Sequence, residues 1–145
     1  MPQTTRHRSA DVAVGYAADR TGRGIAYAAI ATGGGRSLAR IPFGAIPLPA
    51  HEGRELAYAA LTAVGNHLRG AGFTRVRLRL ADEAAVEEVN GRRPVAPALT
   101  MPYVKTRCTL HGFALARVER AEPIETSDLQ TRARAELAGR APAAA

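Results

Sequence analysis

The segment from Phe73 to Leu80 constrains the fold more than any other part of the chain. It alternates without a break, with Val76, Leu78 and Leu80 on one face and Arg75, Arg77 and Arg79 on the other. Successive side chains of an extended strand point to opposite faces, so a period of two specifies a strand with one dry side. Three like charges on the other side repel unless they are solvated or meet carboxylates. The strand therefore belongs to a sheet with one packed face and one lightly covered face.

The flanking segments supply what such a sheet needs. Ala10–Ala17, with Val12 and Val14 in alternation, reads as a strand, and Asp19–Gly24 as a charged, glycine-bearing turn. Ile25–Ala31 reads as a second strand, Gly33–Gly35 as a turn and Ser37–Ile46 as a third strand. Pro42, Pro47 and Pro49 push that third strand to the sheet edge, because proline cannot donate to the ladder. From Glu55 to Leu68 the spacing changes: Tyr58, Leu61, Val64 and Leu68 form one helical stripe, stopped by Gly70 and Gly72. Helices are also predicted over Asp82–Val89 and Tyr103–Leu110, and a fifth strand over Phe113–Glu119. Ser127-Asp128-Leu129-Gln130 has the spacing of a capping box opening a last helix, along which Leu129, Ala133 and Leu137 repeat. The expected class is α/β: a five-stranded mixed sheet, built from a three-stranded antiparallel meander and two further strands, with helices packed on it. Residues 1–8 and 138–145 read as flexible tails around one domain over 9–137.

Composition narrows the function classes. The chain has 145 residues, enough to close one core. No apolar run approaches the length needed to cross a bilayer, and no secretion signal is visible, so a cytoplasmic protein without a membrane partner is expected. Cys108 stands alone, and His7, His51, His67 and His111 lack ligand spacing. Gly33-Gly34-Gly35 lacks the Lys and Ser/Thr of a phosphate-binding loop. The net charge is +7, almost all of the positive charge being arginine, which favours a polyanion but also matches an arginine-rich composition bias.

Three local patterns, taken in order, resemble the ribonuclease H family. Leu56-Ala57-Tyr58-Ala59-Ala60-Leu61 is similar to its helix motif Ala-Glu-Tyr-x-Ala-Leu. Leu80-Ala81-Asp82, followed by Val86, Val89, Asn90 and Gly91, is similar to the fourth strand and its continuation. Val118-Glu119-Arg120 and then Ser127-Asp128-Leu129 resemble the last strand and the start of the last helix. Together they span nearly all of residues 10–137.

The resemblance implies two divalent metals held by four carboxylates, which stabilise the attacking and leaving oxygens of a phosphodiester. At the matching positions stand Ala17, Ala57, Ala81 and Asp128, so three of four ligands are vacated and no cofactor is expected. A rival register offers Asp19, Glu55, Asp82 and Asp128, which would make an active nuclease requiring Mg²⁺ or Mn²⁺. Its cost falls on the first helix, where Thr62 and Asn66 would enter the apolar stripe at about 1–3 kcal/mol each. We favour the vacated reading. Simpler roles remain open for the same acids: Asp128 and Glu55 each suit a helix N-terminus, and Asp82, Glu83, Glu87 and Glu88 suit a solvated helix face.

Three functions follow as expectations. The first is a pseudoenzyme acting as a nucleic-acid- or protein-binding module, with Arg75, Arg77, Arg79, Arg92 and Arg93 as the phosphate contacts, joined by Lys105, Arg107, Arg117 and Arg120. The second is an active ribonuclease H-type enzyme acting on RNA/DNA hybrid. The third is a structural or oligomeric protein that uses its edge strand or sheet face and takes no nucleic acid. The sequence leaves open whether a small molecule fills the vacated metal site.

Overall fold

A computed structural model describes residues 7–140. Strands β1 (Ser9–Ala18), β2 (Arg23–Thr32) and β3 (Gly35–Gly44) form an antiparallel meander. Strand β4 (Arg75–Leu80) then pairs parallel to β1, and β5 (Leu115–Arg120) parallel to β4. The sheet order is β3-β2-β1-β4-β5. Helices α1 (Arg54–Gly70), α2 (Glu83–Val89), α3 (Thr100–His111) and α4 (Pro123–Arg140) complete the chain. The five-stranded mixed sheet read from the alternation is therefore present, in the expected element order.

The two faces of the sheet are covered by different helices. On one face Val12, Val14, Leu78 and Leu80 pack with Tyr58, Leu61, Val64 and Leu68 of α1, all 0–1% exposed. Complete burial of such a side chain contributes roughly 1.5–3 kcal/mol. On the other face Ile25 and Tyr27 pack with Leu129 and Ala133 of α4. Glycine at position 15 of β1 allows α4 to lie this close, because a Cβ there would stand 2.5 Å from Leu129 Cβ and 2.6 Å from the Gln130 nitrogen. The Tyr27 hydroxyl donates to Glu136 at 2.8 Å, tying the far end of the helix to the sheet.

Among the boundaries that differ from the sequence reading, those of α4 and β3 have a clear physical reason. Helix α4 begins at Pro123, so Ser127 lies inside it and does not cap it. Proline suits a first helical turn, and Glu125 Oε2 accepts from the Glu122 N–H at 3.0 Å, the back-reaching half of a capping box that lies nearer the N-terminus than the expected Ser127–Gln130. Strand β3 stops at Gly44, leaving Pro47 and Pro49 in the following loop. Pro42 is within β3 opposite Ile25, where an edge strand tolerates it. Of the stretches read as tails, residues 1–6 and 141–145 lie outside the described residues. Arg8 packs over the Phe73 ring and donates to the Ala71 carbonyl at 2.6 Å, while residues 138–140 continue α4.

Candidate functional site at the ends of the central strands

The parallel pairing of β1 and β4 brings the end of β1, the first turns of α1 and the start of α2 together. Tyr16 extends from β1 on the α1 face, packed against the main core and edge-on to Phe43 at 6.5 Å. Its hydroxyl is held far above the usual phenol range, first by burial and then by the negative charge of Asp82; Arg54 opposes the shift and Glu55 adds to it.

Arg54 organises the acidic groups around it. Its Nη1 donates to Glu88 Oε2 at 2.7 Å, and its Nε lies 3.6 Å from Asp82 Oδ2. The other Glu88 oxygen accepts from the Tyr58 hydroxyl. Asp82 also caps α2, its Oδ1 accepting from the Ala85 N–H at 3.1 Å. Glu88 is 3% exposed, so its charge is compensated inside the protein and not by water. Burial, followed by the bond to Glu88, raises the Tyr58 hydroxyl well above its ordinary pKa and keeps it a donor. The arrangement is a half-buried cation held between two carboxylates, which ties α1 to α2.

Each residue singled out in the sequence has a definite place. Ala17 faces α4 and joins the second core cluster, so its neighbour Tyr16 is the side chain that β1 directs toward Asp82. This corrects the β1 position by one residue, because a one-residue shift along a strand changes the face. Ala57 is wholly buried in the main core, and Ala81 is half-buried just beyond β4. Asp128 is exposed in the second turn of α4. Asp19 is held by its own turn, accepting from the Thr21 N–H at 2.9 Å, the Thr21 hydroxyl at 2.6 Å and the Arg23 N–H at 3.2 Å. The Thr21 hydroxyl bond is the main reason its carboxyl is held below the ordinary range.

Only Glu55 and Asp82 of the rival quartet share the surroundings of Tyr16. Glu55 is 6% exposed, and its Oε2 has no hydrogen-bond partner among the described residues. It is therefore not a solvated helix-end charge. No group of three or more His, Cys, Asp or Glu among the described residues is placed to hold a metal ion.

The arginine ladder meets carboxylates. Arg77 donates to Glu119 and lies 3.9 Å from Asp11, and Arg79 donates to Glu125 of α4. The bond to Glu119 raises the Arg77 pKa further. Arg75 is exposed. Arg92 and Arg93 are exposed after α2, on the opposite side of the sheet from the ladder, with Arg93 Nε 3.9 Å from Glu87. Arg107 donates to the Val89 carbonyl at 2.9 Å, and Arg120 lies 3.9 Å from Glu83. The expected single basic stripe is thus divided between two faces.

Sequence reasoning missed Arg54 and Tyr16, and it read Glu88 as part of a solvated helix face, whereas Glu88 is buried against Arg54 and Tyr58. The available signal was the position of Arg54, since a cation in the first turn of a helix opposes the dipole unless a carboxylate meets it.

No protein-family model matches the chain, and no curated protein matches it in sequence. Solved structures do resemble it. The N-terminal ribonuclease H domain of a Mycobacterium tuberculosis protein superposes with a TM-score of 0.72 at 16% identity, over 95% of this chain and 99% of that one. Ribonuclease H1 of the halophilic archaeon Halobacterium salinarum gives 0.70 at 16% identity, over 88% and 98%. LC11-RNase H1, solved in complex with an RNA/DNA hybrid, gives 0.66 at 16% identity, over 89% and 99%. The chain has the ribonuclease-H-like fold.

Proposed function

We propose that this chain is a ribonuclease-H-like domain that no longer hydrolyses phosphodiesters and serves as a binding module, with nucleic acid as the partner its charge favours. The observation that carries the reading is the guanidinium of Arg54 between Asp82 and Glu88. A two-metal centre needs carboxylates converging on hard divalent cations. Here a fixed monovalent cation occupies two of the carboxylates that remain nearby, and Tyr16 contributes an un-ionised phenol in place of an acid. The residues present do not fit two divalent metals, and no step is assigned to one.

A net charge of +7 supports a polyanionic partner. The hybrid bound by LC11-RNase H1 makes RNA/DNA hybrid the first ligand to test. Arg92 and Arg93 are better placed as phosphate contacts than Arg77 and Arg79, which donate directly to carboxylates, whereas Arg93 stands 3.9 Å from Glu87.

The test is incubation of an end-labelled RNA/DNA hybrid with the full chain in Mg²⁺ and in Mn²⁺, beside Asp82→Asn, together with binding over a salt series. The expected result is no cleavage and an affinity that falls steeply with salt. Cleavage abolished by Asp82→Asn would restore the active nuclease of Asp19, Glu55, Asp82 and Asp128. Failure to bind DNA, RNA or hybrid at low salt, with a dimer by light scattering, would favour the interaction protein.

A further inference from the structure

Beside the clamp, a groove of about 720 Å³ opens between the end of β3, α1 and α3. This is the size of a site for a drug-sized molecule. Its walls include Phe43, Leu48, Ala59 and Ala63, and its lips carry Ile46 and Met101, which are 82% and 67% exposed. Large apolar side chains left in water at the mouth of an apolar groove mark a surface that gains by being covered.

The polar groups of the groove are unequal. Thr62 Oγ1 pairs with Thr106 Oγ1 at 3.0 Å, and Asn66 Oδ1 accepts from the Thr109 hydroxyl at 3.4 Å. Lys105 is exposed at the rim. Glu55 also lines the groove, yet its buried Oε2 receives no hydrogen bond from any described residue. Arg54, the next residue, turns to Asp82 and Glu88 and leaves Glu55 uncompensated. A buried carboxylate oxygen without a donor is a demand for one, and the strongest donor is a cation.

We propose that this groove binds an apolar organic molecule bearing one protonated amine, whose N–H group donates to the Glu55 carboxylate, which lines the groove without a described partner. The hydrocarbon body lies against Phe43, Leu48 and the alanines of α1, and is capped by Ile46 and Met101. A phosphate or carboxylate ligand is disfavoured, because the buried charge facing it is negative. The proposal does not rest on the function proposed above.

The test uses the full chain at pH 7 and three probes of one shape: 4-phenylbutylamine, 4-phenylbutan-1-ol and 4-phenylbutyrate, each titrated by calorimetry. The amine is expected to bind roughly tenfold tighter than the alcohol, with the acid weakest, because only the amine sets a positive charge of its own against the carboxylate. Glu55→Gln should remove the preference and bring the amine down to about the level of the alcohol. Ala63→Leu, which narrows the groove without touching the carboxylate, should weaken both. Equal affinity for the three probes, no binding at millimolar concentration, or an amine preference that survives Glu55→Gln would each overturn the proposal. So would a dimer that Ile46→Asp dissolves, since a second copy would then cover the groove.

Discussion

Removal of the Arg54 cation gives the sharpest test of how the site is held together. Arg54→Met keeps most of the aliphatic volume and withdraws the charge from Glu88 and Asp82. Breaking a buried pair by removing one partner costs about 3–5 kcal/mol, because the other charge is left without compensation. Arg54 is 18% exposed and Asp82 21%, and Tyr58 still donates to Glu88, so the figure is reduced. We expect about 2–3 kcal/mol, which for a chain of this length lowers the melting temperature by roughly 6–10 °C. The partner substitution distinguishes charge from volume. Glu88→Gln is neutral yet can still accept from Tyr58, so Arg54→Met/Glu88→Gln should recover at least about 1 kcal/mol relative to Arg54→Met alone. Urea denaturation and thermal melts, both followed by circular dichroism, give the free energies and the melting temperatures. A shift below about 2 °C for Arg54→Met, or further destabilisation on adding Glu88→Gln, would refute the clamp.

Other outcomes follow from the same geometry. Gly15→Ala places a Cβ against Leu129 and the backbone of α4 and should destabilise by about 1–3 kcal/mol in urea, with near-native stability refuting the close approach. Asp19 has a folded pKa below its ordinary value, so its contribution is present above the ordinary carboxylate range and lost as pH falls through the depressed pKa. Asp19→Asn should therefore lower the melting temperature at neutral pH and leave it nearly unchanged in strong acid, read from melts between the two. If hybrid binds, Arg92→Ala/Arg93→Ala should reduce the slope of log affinity against log salt by about 1–2, and Arg77→Ala should leave it unchanged.

The sheet was readable because its signals are local. Arg75–Leu80 alternates over its whole length, and both the meander and the α1 stripe have periods that belong to one element type. The start of α4 was misread because Ser127 and Gln130 have a cap's spacing, whereas the chain uses Pro123 and a back-reaching Glu125. Spacing within one segment cannot tell which of two nearby starts is packed. The site was legible only in part for a related reason. Arg54 and Glu88 are 34 residues apart, and their meeting depends on how α1 and α2 cross. Tyr16 was passed over for Ala17 because aligning β1 by motif leaves a one-residue freedom that only strand pairing removes. The arginine ladder was visible at once, but its carboxylate partners stand on β1, β5 and α4, beyond the reach of a local pattern.

Helix α4 has a consequence for how the protein is made. Ile25 and Tyr27 belong to a strand synthesised early, but their apolar cover comes from Leu129 and Ala133. During synthesis the meander emerges with that face open, and about 100 further residues must be added before the helix can close it. At roughly 5–20 residues per second, the exposed interval lasts about 5–20 s. For that time the nascent chain presents a sticky sheet surface, and it is there that a chaperone would hold it or a neighbouring chain would trap it.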